Sequence, residues 1–444
     1  MTGVFRLRFS DKLNFDGMDV AIQQTIERHP LVRATVRNDA KLGYVWDVAD
    51  SSTIKLERWT ADSQNEYPVA AFMDLTKNVG IRIWLVENSR AHDLVAQIHH
   101  ACTDALGMCL FIEDLLMLYA KNIGAIESNV QLRPLDNQRM PLRNHFGLTW
   151  KKTLRLIPLQ ILGLHVVGKF FMRNAVPLGC PRQNTHIEQQ VVFPSPMSLH
   201  LDADTTSKVL VAAKSKNVTV NDLLARDLFL AINAWRSQNE PQLKKGWIRF
   251  FVPINQRVQE DATLSAANIM SAIFLERHPD QINDPESLLR SLQTQMKKVK
   301  RLQLGFLFIA AQALFSRLPR LRDRVIRQDR CVSSCVFSNI GVLFKHSSLP
   351  QRDGKLLVGD TTLDNIDFVA PLRPLTAAAF CVSTYAKRLA INLHFDPRAI
   401  SKQQAEELLR TLAGKIHESI GTPRGSDECH RSRISPTLQQ IRQV

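Results

Sequence analysis

The sequence predicts an α/β protein of two domains, each built from a mixed sheet and helices. Strand-like and helix-like periodicities alternate in both halves of the chain, in the order β-α-β-β-β-β-α and then β-α-α-β-β. The 444 residues exceed what one hydrophobic core ordinarily serves. With 45% hydrophobic and 22% charged residues, the chain has the composition of a globular protein.

The first half opens with a strand and a helix that the sequence marks clearly. Phe5, Leu7 and Phe9 alternate with arginines, and the helical stretch that follows ends at Pro30 because proline cannot continue a helix. The elements predicted in this half are a strand at 4–9, a helix at 16–28, strands at 31–36 and 44–48, a hairpin of strands at 81–87 and 94–98, and a buried helix at 105–120. Residues 122–195 have the weakest pattern for regular structure.

The second half repeats the alternation. Asp202 or Asp204 caps its first helix, since a carboxylate there accepts hydrogen bonds from free N–H groups. The predicted elements are a strand at 197–201, helices at 202–216 and 223–235, strands at 248–254 and 270–276, helices at 285–302 and 306–316, a strand at 331–337, a hairpin at 377–385 and 388–395, and a helix at 401–420. The chain then divides into an N-terminal half at 1–175, a linker at 176–195, a C-terminal half at 196–420 and a disordered tail at 421–444.

Seven cysteines are spread thinly, in odd number and without a Cys-x-x-Cys pair. Disulfide frameworks and structural zinc sites use paired, closer spacings. We therefore expect reduced cysteines, no metal site and a cytoplasmic location. Residues 1–14 lack the apolar stretch of a signal peptide, which agrees with that location.

The chain carries a formal charge of +15, from 57 basic and 42 acidic residues. Such a charge favours an anionic partner, which is a nucleic acid, an acidic lipid surface or a phosphate-bearing cofactor. The sequence has no zinc-finger, RNP or basic-zipper pattern, so we expect no nucleic acid. The alternative is a solvated basic surface without a specific partner.

One segment, 150–173, combines an apolar centre with basic ends. Lysines and an arginine precede the apolar stretch 156–171, and Lys169 and Arg173 close it. Pro158 interrupts the stretch, which is shorter than a typical membrane-spanning helix. Two interpretations of this segment stay open, an inter-domain connection packed on the core and peripheral contact with an anionic bilayer.

The sharpest chemical signal is the segment HHACTD at residues 99–104, which leaves a strand, turns and enters a buried helix. A short loop at a strand end holds a histidine at a cleft, and a neutral imidazole accepts a proton from a hydroxyl or amine near neutral pH. No GxSxG-type nucleophile accompanies it, which favours direct transfer over a covalent enzyme intermediate. The alternative is a pair of histidines satisfied by backbone hydrogen bonds.

The pattern HHxxxD after a strand resembles the CoA-dependent acyltransferase superfamily, which includes chloramphenicol acetyltransferase, wax-ester synthases and the condensation domains of peptide synthetases. His100 and Asp104 match the family's second histidine and its aspartate, whereas Ala105 stands where glycine is usual. Further segments resemble family motifs in the family's order: Glu27–Arg33, Asn217–Leu224, Phe251–Arg257, Phe337–Gly341 and Asn392–Asp396. The plant BAHD signature DFGWG is absent, so the resemblance is to the wax-ester synthase and condensation-like branches.

The resemblance implies two similar chloramphenicol-acetyltransferase-like halves with a tunnel between them, where the acyl donor and the acceptor meet at His100. His100 is then the general base. His99 and Asp104 are structural at the active site, and Arg33 or Arg257 is the cationic partner of Asp104.

The resemblance also leaves roles for a second segment and for the substrates. Ser338 and Asn339, at a strand end of the second half, are candidates for the oxyanion donors and the tunnel wall. Acyl-CoA is a co-substrate, no cofactor is bound, and the acceptor is a small molecule or a lipid.

Three function classes follow from this pattern. The favoured one is an enzyme, an O- or N-acyltransferase that uses acyl-CoA. The second is a condensation-type enzyme whose acyl donor or acceptor is held by a separate carrier protein. The third is a non-catalytic scaffold or lipid-binding relative, against which the intact pair of His100 and Asp104 argues.

Overall fold

The computed structural model describes residues 1–48, 54–60, 67–68, 72–88, 91–127, 130–179, 197–240, 246–318, 331–373 and 375–421. In chain order the elements are β1 (Thr2–Phe9), α1 (Phe15–Arg28), β2 (Ala34–Asp39), β3 (Gly43–Val48), β4 (Leu56–Thr60), β5 (Ile81–Glu87), β6 (His92–His99), α2 (Ala105–Asn122), α3 (Trp150–Met172), β7 (Met197–His200), α4 (Ala203–Ser215), α5 (Val220–Asn239), β8 (Ile248–Asn255), β9 (Met270–Arg277), α6 (Pro285–Leu302), α7 (Gly305–Arg317), β10 (Cys335–Val342), β11 (Gln351–Arg352), β12 (Lys355–Val358), β13 (Thr361–Val369), β14 (Ala378–Tyr385), β15 (Arg388–Phe395) and α8 (Lys402–Ser419). Short 3-10 helices lie at Pro30–Arg33, Asn137–His145, Gln259–Thr263 and Pro279–Gln281.

Two mixed sheets organise two lobes, and the predicted α/β class is confirmed. The N-terminal sheet has the strand order β11-β12-β13-β1-β6-β5-β4, and the C-terminal sheet has the order β7-β15-β14-β10-β8-β9. Each sheet has its own core, in which helices cover one face. Strands β2 and β3 form a separate hairpin.

The alternation in β1 places it at the centre of the first lobe. Phe5, Leu7 and Phe9 are buried in the core that β1 shares with α1 and α2. Arg6 and Arg8 lie on the opposite face, as a two-residue period requires. Burying three large apolar side chains contributes roughly 1.5–3 kcal/mol each, so this strand anchors the lobe.

The C-terminal lobe is built around α5. Its capping box at Thr219 fixes where the helix begins, and most of its residues are buried. Phe229 of α5 stacks on Phe250 of β8, with ring centroids 3.8 Å apart. The opposite face of this sheet carries a smaller apolar cluster, which bears on the site described below.

The lobes are interleaved in sequence, so the two halves of the chain do not divide at one boundary. Strand β13 comes from the C-terminal half, yet it pairs antiparallel with β1, from Val4↔Val369 onward. The segment 264–269 also packs its apolar residues into the N-terminal core. The ranges 1–175 and 196–420 therefore describe the order of the chain but not the composition of the two sheets. The predicted linker lies mostly outside the described residues, as does the predicted tail after residue 421.

A buried carboxylate joins the sheets behind β1. Asp367 of β13 accepts hydrogen bonds from Arg6 Nε at 2.9 Å, from Asn392 Nδ2 at 2.6 Å and from Ser198 Oγ at 3.3 Å. Asn392 lies on β15 and Ser198 on β7, so both belong to the C-terminal sheet. The charge of Asp367 is balanced by Arg6, and its remaining lone pairs tie the two lobes together.

Several predicted elements are wrong in detail. The strand predicted at 31–36 starts as a 3-10 helix, because Pro30 has its φ fixed near helical values, and only Ala34 onward is extended. Residues 122–195, predicted to have the least regular structure, contain the 23-residue helix α3. Strands β4, β11, β12 and β13 are not predicted by the periodicity. Strands β11 and β12 are short, whereas β4 and β13 pair with β5 and β1, which are distant from them in sequence.

Candidate functional site

The HHACTD segment turns sharply between β6 and α2. Strand β6 ends at His99, and the Cys102 N–H donates to the His99 carbonyl at 2.9 Å, which closes the turn. Asn268 Nδ2 donates to the His100 carbonyl at 2.8 Å, from the segment that precedes β9. Cys102 is fully buried beneath the turn. The backbone of His100 is therefore held by both lobes.

The imidazole of His100 has a defined orientation and a defined tautomer. Its Nδ1 lies 2.9 Å from the Thr103 carbonyl oxygen. A carbonyl oxygen only accepts, so Nδ1 carries the hydrogen and Nε2 of the neutral ring keeps its lone pair. The residue is partly exposed. This geometry leaves Nε2 able to take a proton from a bound acceptor.

Asp104 holds the start of α2 against the C-terminal lobe. Its Oδ1 accepts from the Gly107 N–H at 2.9 Å, as an N-cap carboxylate does, and its Oδ2 accepts from the Ile269 N–H at 2.9 Å. Arg257 donates to both oxygens, from Nη1 and Nη2, each at 2.9 Å. Arg257 Nη2 also donates to the Ala267 carbonyl at 2.8 Å. This bidentate pair is the strongest form of an arginine–carboxylate contact.

Of the two arginines proposed as partners of Asp104, the structure places Arg257 on it. Arg33 ends the 3-10 helix after α1, whereas the ion pair at Asp104 is with Arg257. Arg257 follows directly after β8, which carries it across to the N-terminal lobe. The sequence could not choose between them, because the choice depends on how the lobes meet.

His99 is tied into the turn beside His100. Its Nδ1 accepts from the Ala101 N–H at 3.2 Å, and its Nε2 lies 3.1 Å from the amino nitrogen of Met1. Burial, with a smaller contribution from the positive amino group, lowers the pKa of His99 to about 4. The ring is therefore neutral near physiological pH, and both of its nitrogens have neighbours.

Gly107 and His29 also shape this site, although neither is among its predicted residues. A Cβ on Gly107 would overlap Thr103 Oγ1 and lie 2.9 Å from the Ala267 carbonyl oxygen, so the helix start can press on the 264–269 segment only with glycine here. Ala105, where the family has glycine, is the first residue of α2. The glycine that the close contact requires is thus at position 107. The sequence could have indicated this position, because Gly107 is the only glycine in the first turn of α2.

His29 is the second residue that was passed over. It is fully buried, its Nδ1 accepts from the Ala266 N–H at 2.8 Å, and its Nε2 lies 3.2 Å from Asp114 Oδ2. Arg28 Nε also donates to Asp114 Oδ2, at 2.9 Å. Burial lowers the pKa of His29, so the ring is held neutral. His29 and Asp104, both in the N-terminal lobe, thus form hydrogen bonds with the backbone of the 264–269 segment.

The C-terminal sheet opens next to Arg257. Strand β10 pairs with β8 only through Cys335↔Phe250 and Val336↔Phe251. Beyond those pairs β8 continues with β9 and β10 continues with β14, so the two strands separate. The free end of β8 leads into Arg257, and through it to Asp104 and the His100 turn. An opening in the sheet therefore adjoins the turn.

Ser338 and Asn339 lie on β10 where it separates from β8. Strand alternation puts Ser338 on the same face as Val336, whereas Asn339 is exposed and its Oδ1 accepts from the Gly341 N–H at 2.9 Å. Among the described residues no hydrogen bond joins either side chain to His100. The structure thus brings His99, His100, Asp104 and Arg257 together and leaves Ser338 and Asn339 across the opening.

An apolar patch covers the sheet face opposite the helical core of this lobe. Phe251, Phe274 and Phe308 form mutual edge contacts, with ring centroids 5.7, 6.0 and 6.4 Å apart. Ala272, Val336 and Ala379 complete the buried part of the cluster. We call these three rings the aromatic patch. An apolar surface of this kind is suited to a hydrocarbon chain.

A cavity of about 440 Å³ lies on the helical side of β8. It is lined by the end of β8 and by α6 and α7, including Asn255, Lys300 and Phe306. Asn255 Oδ1 accepts from the Arg257 backbone N–H at 3.0 Å, so one wall of the cavity touches the arginine of the site. Within the described residues no three metal-ligating side chains converge.

No family model and no curated protein matches this chain. Solved structures do match, over nearly its whole length. The first condensation domain of the CDA synthetase aligns with a TM-score of 0.66 at 11% identity, covering 95% of this chain and 91% of that one. The epimerization domain from the third module of tyrocidine synthetase B gives 0.64 at 13% identity, with 94% and 92% covered. TRI3 trichothecene 15-O-acetyltransferase from Fusarium sporotrichioides gives 0.64 at 11% identity, with 94% and 90% covered.

These likenesses are at low identity, and they concern the fold. They span both lobes, and they include peptide-synthetase domains and an acetyltransferase alike. The chain therefore has the two-lobed fold of these condensation-domain, epimerization-domain and acetyltransferase structures.

Proposed function

We propose that this chain is an acyltransferase that moves an acyl group from an acyl-CoA thioester to a hydroxyl or amine acceptor, with His100 as its general base. The observation that carries the proposal is the hydrogen bond of His100 Nδ1 to the Thr103 carbonyl, 2.9 Å long. It fixes the tautomer whose Nε2 is a base. The acyltransferase class is also that of the neighbours that share the fold.

The reaction needs one proton carrier and no enzyme nucleophile. His100 Nε2 takes the proton of the acceptor as the acceptor's oxygen or nitrogen bonds to the thioester carbon, and the carbonyl electrons move to the oxygen. The C–S bond of the tetrahedral intermediate then breaks. The departing thiolate takes the proton from the His100 imidazolium, which leaves an ester or amide, free CoA thiol and a neutral His100.

The cysteines near the turn support direct transfer. Burial raises the pKa of the Cys102 thiol, and also that of Cys109, to about 12. A thiol of that pKa is almost entirely protonated at neutral pH, and the thiolate is the form that attacks. A covalent acyl-cysteine step at this site is therefore disfavoured.

The developing oxyanion needs a donor on the far side of the substrate. Ser338 is our candidate, because its hydroxyl lies on β10 where the sheet opens next to Arg257. Asn339 is the second candidate and is placed less well, since its Oδ1 is engaged with Gly341. We propose that the acyl chain passes through this opening onto the aromatic patch.

Acyl-CoA is the donor that the charge of the chain favours. A formal charge of +15 attracts the phosphates of CoA, and Lys300 lines the cavity beside β8. The competing function is that of a condensation enzyme, whose substrate is delivered by a carrier protein. The fold supports it equally well, because condensation domains are among the neighbours.

A panel of acyl-CoAs separates these functions. The purified chain is incubated with acyl-CoAs of increasing chain length and with hydroxyl and amine acceptors, and the release of free thiol is recorded against His100→Ala. Thiol release that depends on both the acceptor and His100 supports the proposal. Transfer from acyl-pantetheinyl carrier protein but from no acyl-CoA favours the condensation enzyme, and no transfer from either favours the non-catalytic relative.

A further inference from the structure

Helix α3 turns an apolar face toward solvent. Six large apolar side chains between 41% and 70% exposed share this face, since they follow one another at steps of three, four or seven residues: Trp150, Leu154, Ile157, Ile161, Leu164 and Phe171. Soluble helices put polar residues on this face. A contiguous exposed apolar stripe of this length marks a surface that binds something.

The other face of α3 is fixed to the C-terminal lobe. Leu156 and Gly163 are buried, and a Cβ on Gly163 would lie 2.7 Å from the Leu304 side chain. Gln160 Nε2 donates to the Leu302 carbonyl at 3.1 Å, and Arg249 Nη2 donates to the Phe170 carbonyl at 3.2 Å. By length and composition alone α3 could cross a membrane. Because one face is docked along the lobe, it lies on a surface instead of crossing it.

Helix α7 extends the same surface. It packs beside α3, and Leu314 and Leu318 at its end are about half exposed. Phe308, on the same helix, belongs to the aromatic patch. One helix therefore joins the exposed apolar surface to the apolar face of the sheet next to the site.

The charges on these two helices are all of one sign. Neither α3 nor α7 contains an aspartate or a glutamate. Lys151, Arg155 and Lys169 are exposed on α3 and flank its apolar stripe. Cations beside an apolar helix face complement an anionic lipid surface, where each basic residue near the membrane adds to binding. A protein partner would require apolar complementarity but would not require that acidic residues be absent.

We infer that α3 and α7 form a docking surface for an anionic lipid bilayer, so that the protein is peripheral and the stripe of α3 lies in the headgroup region. We also infer that a lipid is a substrate, taken from the bilayer past α7 and the aromatic patch toward His100. This second step rests on the proposed function, whereas the docking does not.

Vesicle flotation tests the docking with a matched pair of variants. Ile161→Glu combined with Leu164→Glu puts two carboxylates on the stripe. The control, Leu210→Glu combined with Val211→Glu, changes two residues of α4 that are as exposed, at 52% and 63% against 61% and 54%. The probes are vesicles of phosphatidylcholine with phosphatidylglycerol and vesicles of phosphatidylcholine alone.

The wild type and the α4 variant should float with the anionic vesicles at low salt and be released by high salt, because screening weakens the attraction. The α3 variant should partition on the order of tenfold less. The docking is overturned if the wild type does not float, or if the two variants float equally. It is overturned as well if light scattering shows that the α3 face instead holds a second copy, with dimers that only the α3 variant dissociates.

Activity is measured separately on the same proteins. With a water-soluble acceptor and without vesicles, all three proteins should release thiol from acyl-CoA at the same rate, whereas transfer to a vesicle-borne acceptor should fall only in the α3 variant. Flotation without any thiol release would leave the docking standing and count against the proposed function. Equal transfer to the vesicle-borne acceptor by all three proteins would overturn the lipid route.

Discussion

Asp104 and Arg257 meet through two parallel hydrogen bonds of 2.9 Å across the junction of the two lobes. Both side chains are largely buried, at 7% and 13% exposed. The same carboxylate caps α2 through Gly107 and receives the N–H of Ile269. One carboxylate thus sets the position of the His100 turn against the C-terminal lobe, and the consequences of losing it are specific.

Removing either partner of this pair should destabilise the protein. Asp104→Ala leaves Arg257 charged and buried without its partner, which costs about 3–5 kcal/mol. Chemical denaturation should show this loss, and activity should fall with it because the turn is released. The control is Arg398→Ala, which breaks the exposed pair with Asp396 and should cost about 0–1 kcal/mol. An Asp104→Ala protein of unchanged stability but no activity would contradict this role and point to direct chemistry at Asp104.

His100→Ala should remove most of the turnover and leave the fold intact. A general base contributes on the order of 10²–10⁴ in rate, and this residue supplies the Nε2 lone pair of the site. His99→Ala should cost much less, since the hydrogen bonds of its ring within the described residues go to the turn and to Met1. Steady-state thiol release and circular dichroism check both variants. Equal losses in the two would show that the base is misassigned.

Gly107→Ala should damage the site although it adds only one methyl group. The new Cβ would overlap Thr103 Oγ1 and press on the Ala267 backbone, so the start of α2 must shift, at about 1–3 kcal/mol. Gly168→Ala on α3 is the control, because nothing lies within 4 Å of its added Cβ. That change should be neutral or slightly stabilising. Thermal unfolding and the rate of thiol release should separate the two variants, and equal behaviour would mean that the close contact has no role.

The stability of the protein should fall in mildly acidic solution, partly through His29. Burial holds the pKa of His29 below its ordinary value of 6.5, so below that pH the unfolded chain binds a proton that the folded chain resists. The contribution of His29 to the free energy of unfolding is fully present above pH 6.5, and it is lost as the pH falls toward the lowered pKa.

His29→Gln tests this assignment. The variant should be less stable than the wild type at pH 7, since it loses the hydrogen bonds that the His29 ring makes with Asp114 and with the Ala266 N–H. The difference should narrow as the pH falls from 7 to 5, because only the wild type loses stability through residue 29. Denaturation midpoints across this range measure it. A difference that stays constant or grows would show that His29 is not held neutral in the folded protein.

The parts of the structure that could be predicted are those with local signals. The alternation of β1 and the Asp202 cap of α4 depend on neighbouring residues, and both lie where the sequence puts them. Helix α3 was not predicted, because Pro158 interrupts its apolar pattern. The helix tolerates this proline on its solvent side, since packing against α6 and α7 holds it. Strand β13 could not be predicted as a neighbour of β1, because nothing local reports a pairing across the whole chain.

The candidate site also has a part with local sequence signals and a part that depends on distant contacts. The turn with His100 and Asp104 is contiguous in sequence, so its residue types and spacing can be read without knowledge of the fold. The choice of Arg257 over Arg33, and the hold of His29 on Ala266, depend on contacts between distant segments. A single sequence contains no direct record of those contacts.

The pairing of β1 with β13 has a consequence for how the chain is made. Residues 2–9 leave the ribosome long before the strand that covers one of their edges, because that strand is completed only at Val369. At typical rates of synthesis the interval is on the order of tens of seconds. Throughout it the middle of the N-terminal sheet has an open edge, with free N–H and C=O groups ready to pair with any other strand. The topology therefore leaves this edge of β1 without its native partner until β13 has been synthesised.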